Sequence, residues 1–170
     1  DNANLSVGWT QKGTWTITSV APSPSLGTLT PSTLSSASGT AQTFSAVYSD
    51  SAGYTNLKTV QLMVGSSLSG TSAIRVFYTI GLNRLSLYND AGTAFTSCTL
   101  GSAGSLTNTQ GSVSCSATTV SGVGNNLTVN WNITPAAAFA SPTAKNIYMF
   151  ANDNANLSVG WTQKGTWTIT

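Results

Sequence analysis

A chain of 170 residues with four acidic and six basic side chains, no histidine and a net charge of +2 suits one core-bearing domain of about 150 residues plus a short extra segment. Charged residues make up 6%, against the ~25% usual in globular proteins, so no basic face exists to release counterions from nucleic acid or an anionic membrane. Without histidine or glutamate, general acid–base work and a Ser-His-Asp triad lack their base, and the chain reads as no enzyme with no cofactor.

Hydrophobic residues at 40% with so little charge argue for a folded chain rather than a disordered one. Solubility falls to hydroxyls: there are 25 Ser and 27 Thr. No apolar run approaches the ~18 residues of a membrane-spanning helix.

In chain order, the first element is one the sequence contains twice. Residues 1–18, DNANLSVGWTQKGTWTIT, return letter for letter as residues 153–170, an offset of 152 residues (from 1 to 153). Divergent repeats keep their pattern and lose their letters. Full identity over eighteen positions points instead to recent duplication, a tandem array or a fusion. In 165–170, Trp167 and Ile169 alternate with threonines, the period-2 signature of a half-buried strand. Residues 146–151, NIYMFA, are apolar on both faces and make its partner. The first copy has no such partner upstream, so Trp9, Trp15 and Ile17 would form an unpaired aromatic strand, open for pairing. Such a strand belongs to a neighbour. Either residues 1–18 end a preceding covalent repeat, or one subunit gives the strand to the next in a head-to-tail contact that does not close.

Residues 19–31 hold Pro22, Pro24 and Pro31, a stiff linker running into an edge strand. From residue 32 to residue 170 the pattern is that of a β-sandwich. Phe44, Ala46 and Tyr48 alternate before a turn over residues 49–53, SDSAG; Val60, Leu62 and Val64 follow, then Ile74, Val76, Tyr78 and Ile80. Leu85 and Leu87 begin the return strand after Gly81-Leu82-Asn83. Leu127, Val129, Trp131 and Ile133 give the cleanest alternation, and Trp131 is the candidate core pin. Residues 136–140 are expected to make one helical turn before Pro142. About nine short strands with turns between them define an all-β, antiparallel sandwich.

Cys98 and Cys115 flank a Gly/Ser/Thr loop. If the strands around them pair, a disulfide staples them and contributes about 3 kcal/mol by loop closure; two buried free thiols are the alternative. A disulfide with a hydroxyl-rich surface favours an extracellular or cell-surface location.

Asp50, Asp90 and Asp153 each end a strand. Gathered at one end of the sandwich they could hold Ca²⁺; otherwise each simply caps its own turn. Sequons at Asn4, Asn126, Asn132 and Asn156 allow glycans, though Asn-x-Ser/Thr is frequent in any chain this rich in those residues. With four carboxylates and no histidine, stability is expected to be nearly flat between about pH 3 and 8.

The segments ANDNANL at 151–157 and GWTQKGTWTI at 160–169, with QTFSAVYSD at 42–50, resemble the closing hairpin and early core strand of bacterial Ig-like repeats from large secreted surface proteins. The layout extends over residues 19–170, whereas the specific likeness sits at those two ends. The Cys-Trp-Cys spacing of antibody domains is absent, so the likeness is one of architecture. It implies a spacer or adhesive module in a long extracellular chain, and the duplicated strand then provides the head-to-tail join to neighbouring copies through Trp161, Trp167 and Ile169 or through Trp9, Trp15 and Ile17. It also implies Lys58 and Lys145 as candidates for a Lys-Asn isopeptide. The rival expectation is a module whose loop Ser102 to Gln110 binds carbohydrate or a host surface.

Overall fold

The hydrophobic alternation resolves into thirteen strands among the described residues: β1 (Pro24–Thr30), β2 (Thr33–Ser36), β3 (Gln42–Asp50), β4 (Leu57–Gly65), β5 (Ile74–Thr79), β6 (Arg84–Tyr88), β7 (Phe95–Thr99), β8 (Ser105–Asn108), β9 (Gly111–Ser114), β10 (Thr119–Val123), β11 (Asn126–Pro135), β12 (Ser141–Asp153) and β13 (Ser158–Ile169). The computed structural model describes residues 6, 8–17 and 23–170. The sequon at Asn4 and the start of the proline segment, Pro22 included, lie outside the described residues.

The strands form two sheets with a shared core, the β-sandwich expected from the alternation. One sheet runs β1-β3-β11-β9-β8, with β10 also on β11; the other runs β2-β13-β12-β4-β5-β6-β7. All pairings are antiparallel except β2 with β13, which is parallel. Strand number exceeds the expected nine because of β10, which pairs with β11, and for two further reasons. The Pro-rich segment crosses from one sheet to the other between β1 and β2, and the Gly/Ser/Thr stretch that reads as loop contains the β8–β9 hairpin. Its residues are too small and polar to show a period, and only Leu106, Gly111 and Val113 are buried.

Alternation predicts burial well where one face meets the core. In β11 the pattern is strict, with Leu127, Val129, Trp131, Ile133 and Pro135 buried. Trp131, fully buried, pairs with Phe44 in the β11–β3 register. The expected helical turn is a 3-10 turn at Ala137–Phe139 that buries Phe139.

The cysteines are bonded, Cys98 to Cys115. Their strands do not pair, contrary to the sequence-based expectation: β7 edges the seven-stranded sheet, while β9, just before Cys115, lies in the other. The disulfide therefore crosses between sheets, where both cysteines face the core.

Register fixes the two ends of the domain. Pro24 pairs with Asp50 at one end of β3. Thr170 accepts from Ser38 N and donates to the Ser36 carbonyl, next to the Gln42 end. Eight residue steps of β3 separate these ends, about 27 Å.

Candidate functional site

The structure uses the second copy of the repeated segment as a core strand. β13 pairs antiparallel with β12, from Ser158 opposite Asn152 to Ile169 opposite Ser141, and parallel with β2 from Thr166 to Ile169. It thus fills a slot between two strands and has no free edge along its second half. Trp167 and Ile169 are buried there. The Trp167 ring meets Phe44 edge-on at 4.9 Å, and its Nε1 donates to Ser36 Oγ at 2.9 Å.

Gly165 permits this approach. A Cβ at that position would strike the Ser32 carbonyl oxygen, the same oxygen that accepts from Thr166 N at 2.9 Å. Lys164 Nζ reaches the Leu26 carbonyl at 3.3 Å.

Two bulges in the β12–β13 ladder, between Ile147 and Tyr148 and between Met149 and Ala151, change the face that β13 presents. In a regular strand Trp161 and Trp167 would share a face. Instead Val159 and Trp167 pack on the core, whereas Trp161 joins Met63, Ala73 and Tyr148 on the outside of the sheet. There Trp161 lies 5.3 Å from Phe150 and, with Tyr88, flanks the Arg75 guanidinium at 5.3 and 4.2 Å. Arg75 also donates through Nε and Nη2 to Gln61 Oε1. Phe77, Tyr88 and Phe95 continue the aromatic row to a cavity of about 110 Å³ beside Leu87, Asn89 and Thr107. Sequence reasoning missed this outer row, although the residues Arg75 and Phe77 on the non-core side of β5 were its signal.

The described part of the first copy has the same letters and none of this packing. Residues 8–17 carry no strand. Trp15 is 88% exposed against 0% for its counterpart Trp167, and Trp9 and Ile17 are exposed as well. A Cβ on Gly13 would meet nothing within 4 Å.

The three aspartates do not gather. Asp50 and Asp153 lie at the Pro24 end of the sandwich. Asp90 lies at the opposite end, where it accepts from Thr109 N and Oγ1 and from Gln110 Nε2. A three-aspartate site is thereby corrected: the β6 turn runs the wrong way to join the others. Among the described residues no group of three or more His, Cys, Asp or Glu could hold a metal.

The stretch Ser102 to Gln110 is pinned rather than free, since Asn108 Nδ2 donates to the carbonyls of Ala73 and Tyr88. Lys58 Nζ donates to Asn156 Oδ1 at 3.0 Å, but both side chains are exposed. Lys145 Nζ donates to Ser66 Oγ. Neither is the buried amine next to an amide that isopeptide formation needs.

No family model matches the chain, and no curated protein matches it. Among the described residues no helix is long and apolar enough to cross a membrane.

Proposed function

We propose that the chain is a non-catalytic structural unit of an extracellular filament or surface stalk, joined head to tail through the duplicated strand. The observation that carries this reading is the contrast between the two copies. One lies in the β2–β12 slot with Trp167 buried, and the other leaves Trp9, Trp15 and Ile17 in solvent. A sequence that satisfies the slot once satisfies it again in a neighbour whose own β13 is displaced or absent, by strand addition between β2 and β12. Placement of Pro24 and Thr170 at opposite ends of the sandwich supports a linear arrangement. The inter-sheet disulfide favours an oxidising location, and the Ig-like resemblance fits a stalk.

Vacating the slot tests the reading. A chain ending at Asn152 keeps residues 1–18 and loses β13, and should polymerise into a ladder on size-exclusion chromatography as each first copy fills the next slot. A chain spanning 19–152 should form no ladder. Monomeric 1–152 with a native disulfide and sheet content would sink the proposal.

A second reading, an adhesive or carbohydrate-binding module, is favoured by the outer row of Trp161, Phe150, Tyr88 and Phe95, because rings with an exposed face stack on apolar sugar surfaces. A saturable hit on a glycan array that is lost in Phe95→Ala would support it. A blank array would leave the stalk.

A further inference from the structure

The chain buries two of its three described carboxylates completely, and each keeps one oxygen without a partner. Asp50 and Asp153 are both 0% exposed. Asp50 Oδ1 accepts from Ala52 N at 2.8 Å, and Asp153 Oδ1 accepts from Leu157 N at 2.8 Å. Their Oδ2 atoms are buried with no hydrogen bond. Turn capping accounts for the first oxygen of each, but not for the second. A desolvated carboxylate oxygen left unmatched costs several kcal/mol, so it calls for a partner from outside the chain.

The two aspartates lie toward the same end of the sandwich. Each continues the core-facing series of its strand, Phe44-Ala46-Tyr48-Asp50 on β3 and Ile147-Met149-Ala151-Asp153 on β12, and these strands lie in opposite sheets. Just inside them Tyr48 Oη crosses the sandwich to donate to the Gln61 carbonyl at 2.9 Å, and Gln61 pairs with Phe150 of β12. Both carboxylates lie beyond that crossing, toward the same end. A chain of backbone hydrogen bonds joins their turns: Gly53 N to Asp50 O, Asn56 N to Gly53 O, and Asn154 N to Asn56 O.

The geometry points to a calcium site shared by Asp50 and Asp153 at the Pro24 end of the sandwich. Two carboxylate oxygens match the charge of one divalent cation, and hard oxygen donors suit Ca²⁺, whose flexible coordination accepts turn carbonyls and water for the other positions. Loops meeting there supply oxygen donors and no sulfur or imidazole, which disfavours zinc or copper. One domain suffices for this site, so it stands or falls independently of head-to-tail assembly.

Equilibrium dialysis of the intact, EDTA-stripped chain against calcium-45 tests it. The expected result is one ion per chain with a dissociation constant of ~0.1–1 mM, the range of extracellular modules, and a melting temperature raised by about 3 to 10 °C near 10 mM calcium. Asp50→Asn and Asp153→Asn should each remove the ion, while Asp90→Asn keeps it. Should either asparagine variant fail to fold, dialysis of the native chain still decides. No calcium retained at about 10 mM, with an unchanged melt, would mean that water alone serves the two oxygens and would overturn the site. So would undiminished binding in the folded Asp50→Asn/Asp153→Asn double variant.

Discussion

Phe44 of one sheet and Trp167 of the other meet edge to face with ring centroids 4.9 Å apart and planes inclined at 62°. The contact ties the repeated strand to β3, the strand that pairs with both β1 and β11. Trp167→Ala should therefore cost about 3–5 kcal/mol, the range for emptying a buried aromatic site. Trp15→Ala, the same change in the other copy, should alter the stability of a single chain by no more than ~0.5 kcal/mol. Urea denaturation of dilute protein reads both. Equal losses would show that the copies exchange between slot and solvent.

Gly165 and Gly13 make a second matched pair. Gly165→Ala pushes a methyl group into the Ser32 carbonyl and should destabilise by about 1–3 kcal/mol through overpacking. Gly13→Ala meets nothing and should leave the monomer's midpoint in place. In the 1–152 chain, however, Gly13→Ala should abolish the ladder, because residue 13 then occupies the tight crossing. A ladder that survives would show that the first copy docks in another register.

The disulfide spans 17 residues of sequence and links the edge strand β7 of one sheet to the residue that follows β9 in the other. Cys98→Ala/Cys115→Ala should lower stability by about 3 kcal/mol, the loop-closure value for a loop of this length. Comparing denaturant midpoints with and without reductant gives the same quantity by a second route. Coincident midpoints would mean that the bond constrains nothing the fold lacks.

Alkali should unfold the protein through its buried phenols. Burial pushes the Tyr48 hydroxyl far above the usual tyrosine range, and burial followed by the neighbouring Tyr54 raises Tyr78. A group whose folded value is raised holds its proton more tightly when folded, so its stabilisation is complete below the unfolded value near pH 10 and declines above it. Stability should hold to about pH 9 and then fall by up to ~1.4 kcal/mol per pH unit for Tyr48 alone. Tyr48→Phe should flatten that slope while losing the hydrogen bond to the Gln61 carbonyl. Urea midpoints between about pH 8 and 11 decide the matter, and an equally steep fall in the phenylalanine variant would reject Tyr48 as the source.

Much of the sandwich was legible in the sequence because a strand with one face on a core must alternate. β3 and β11 show that alternation over most of their length, and the residues their patterns name are buried, whereas β4 buries Val60, Leu62 and Val64 as its pattern names and also Leu57, Met63 and Gly65. β8 and β10 were illegible because serine, threonine and glycine offer no contrast between faces. The outer placement of Trp161 was hidden for a different reason: bulges are set by the partner strand's register, and a single strand carries no record of them.

The sequence by itself determined the all-β class, the cysteine pair, the core alternation and the identity of the two terminal segments, since these depend on local pattern and composition. Only the tertiary structure decided that the disulfide crosses between sheets, that Asp90 lies at the far end from Asp50 and Asp153, and that Trp167 and Ile169 are core while their counterparts Trp15 and Ile17 are exposed. A strand takes its burial and its hydrogen bonds from the strands beside it, and so identical residues can have two environments.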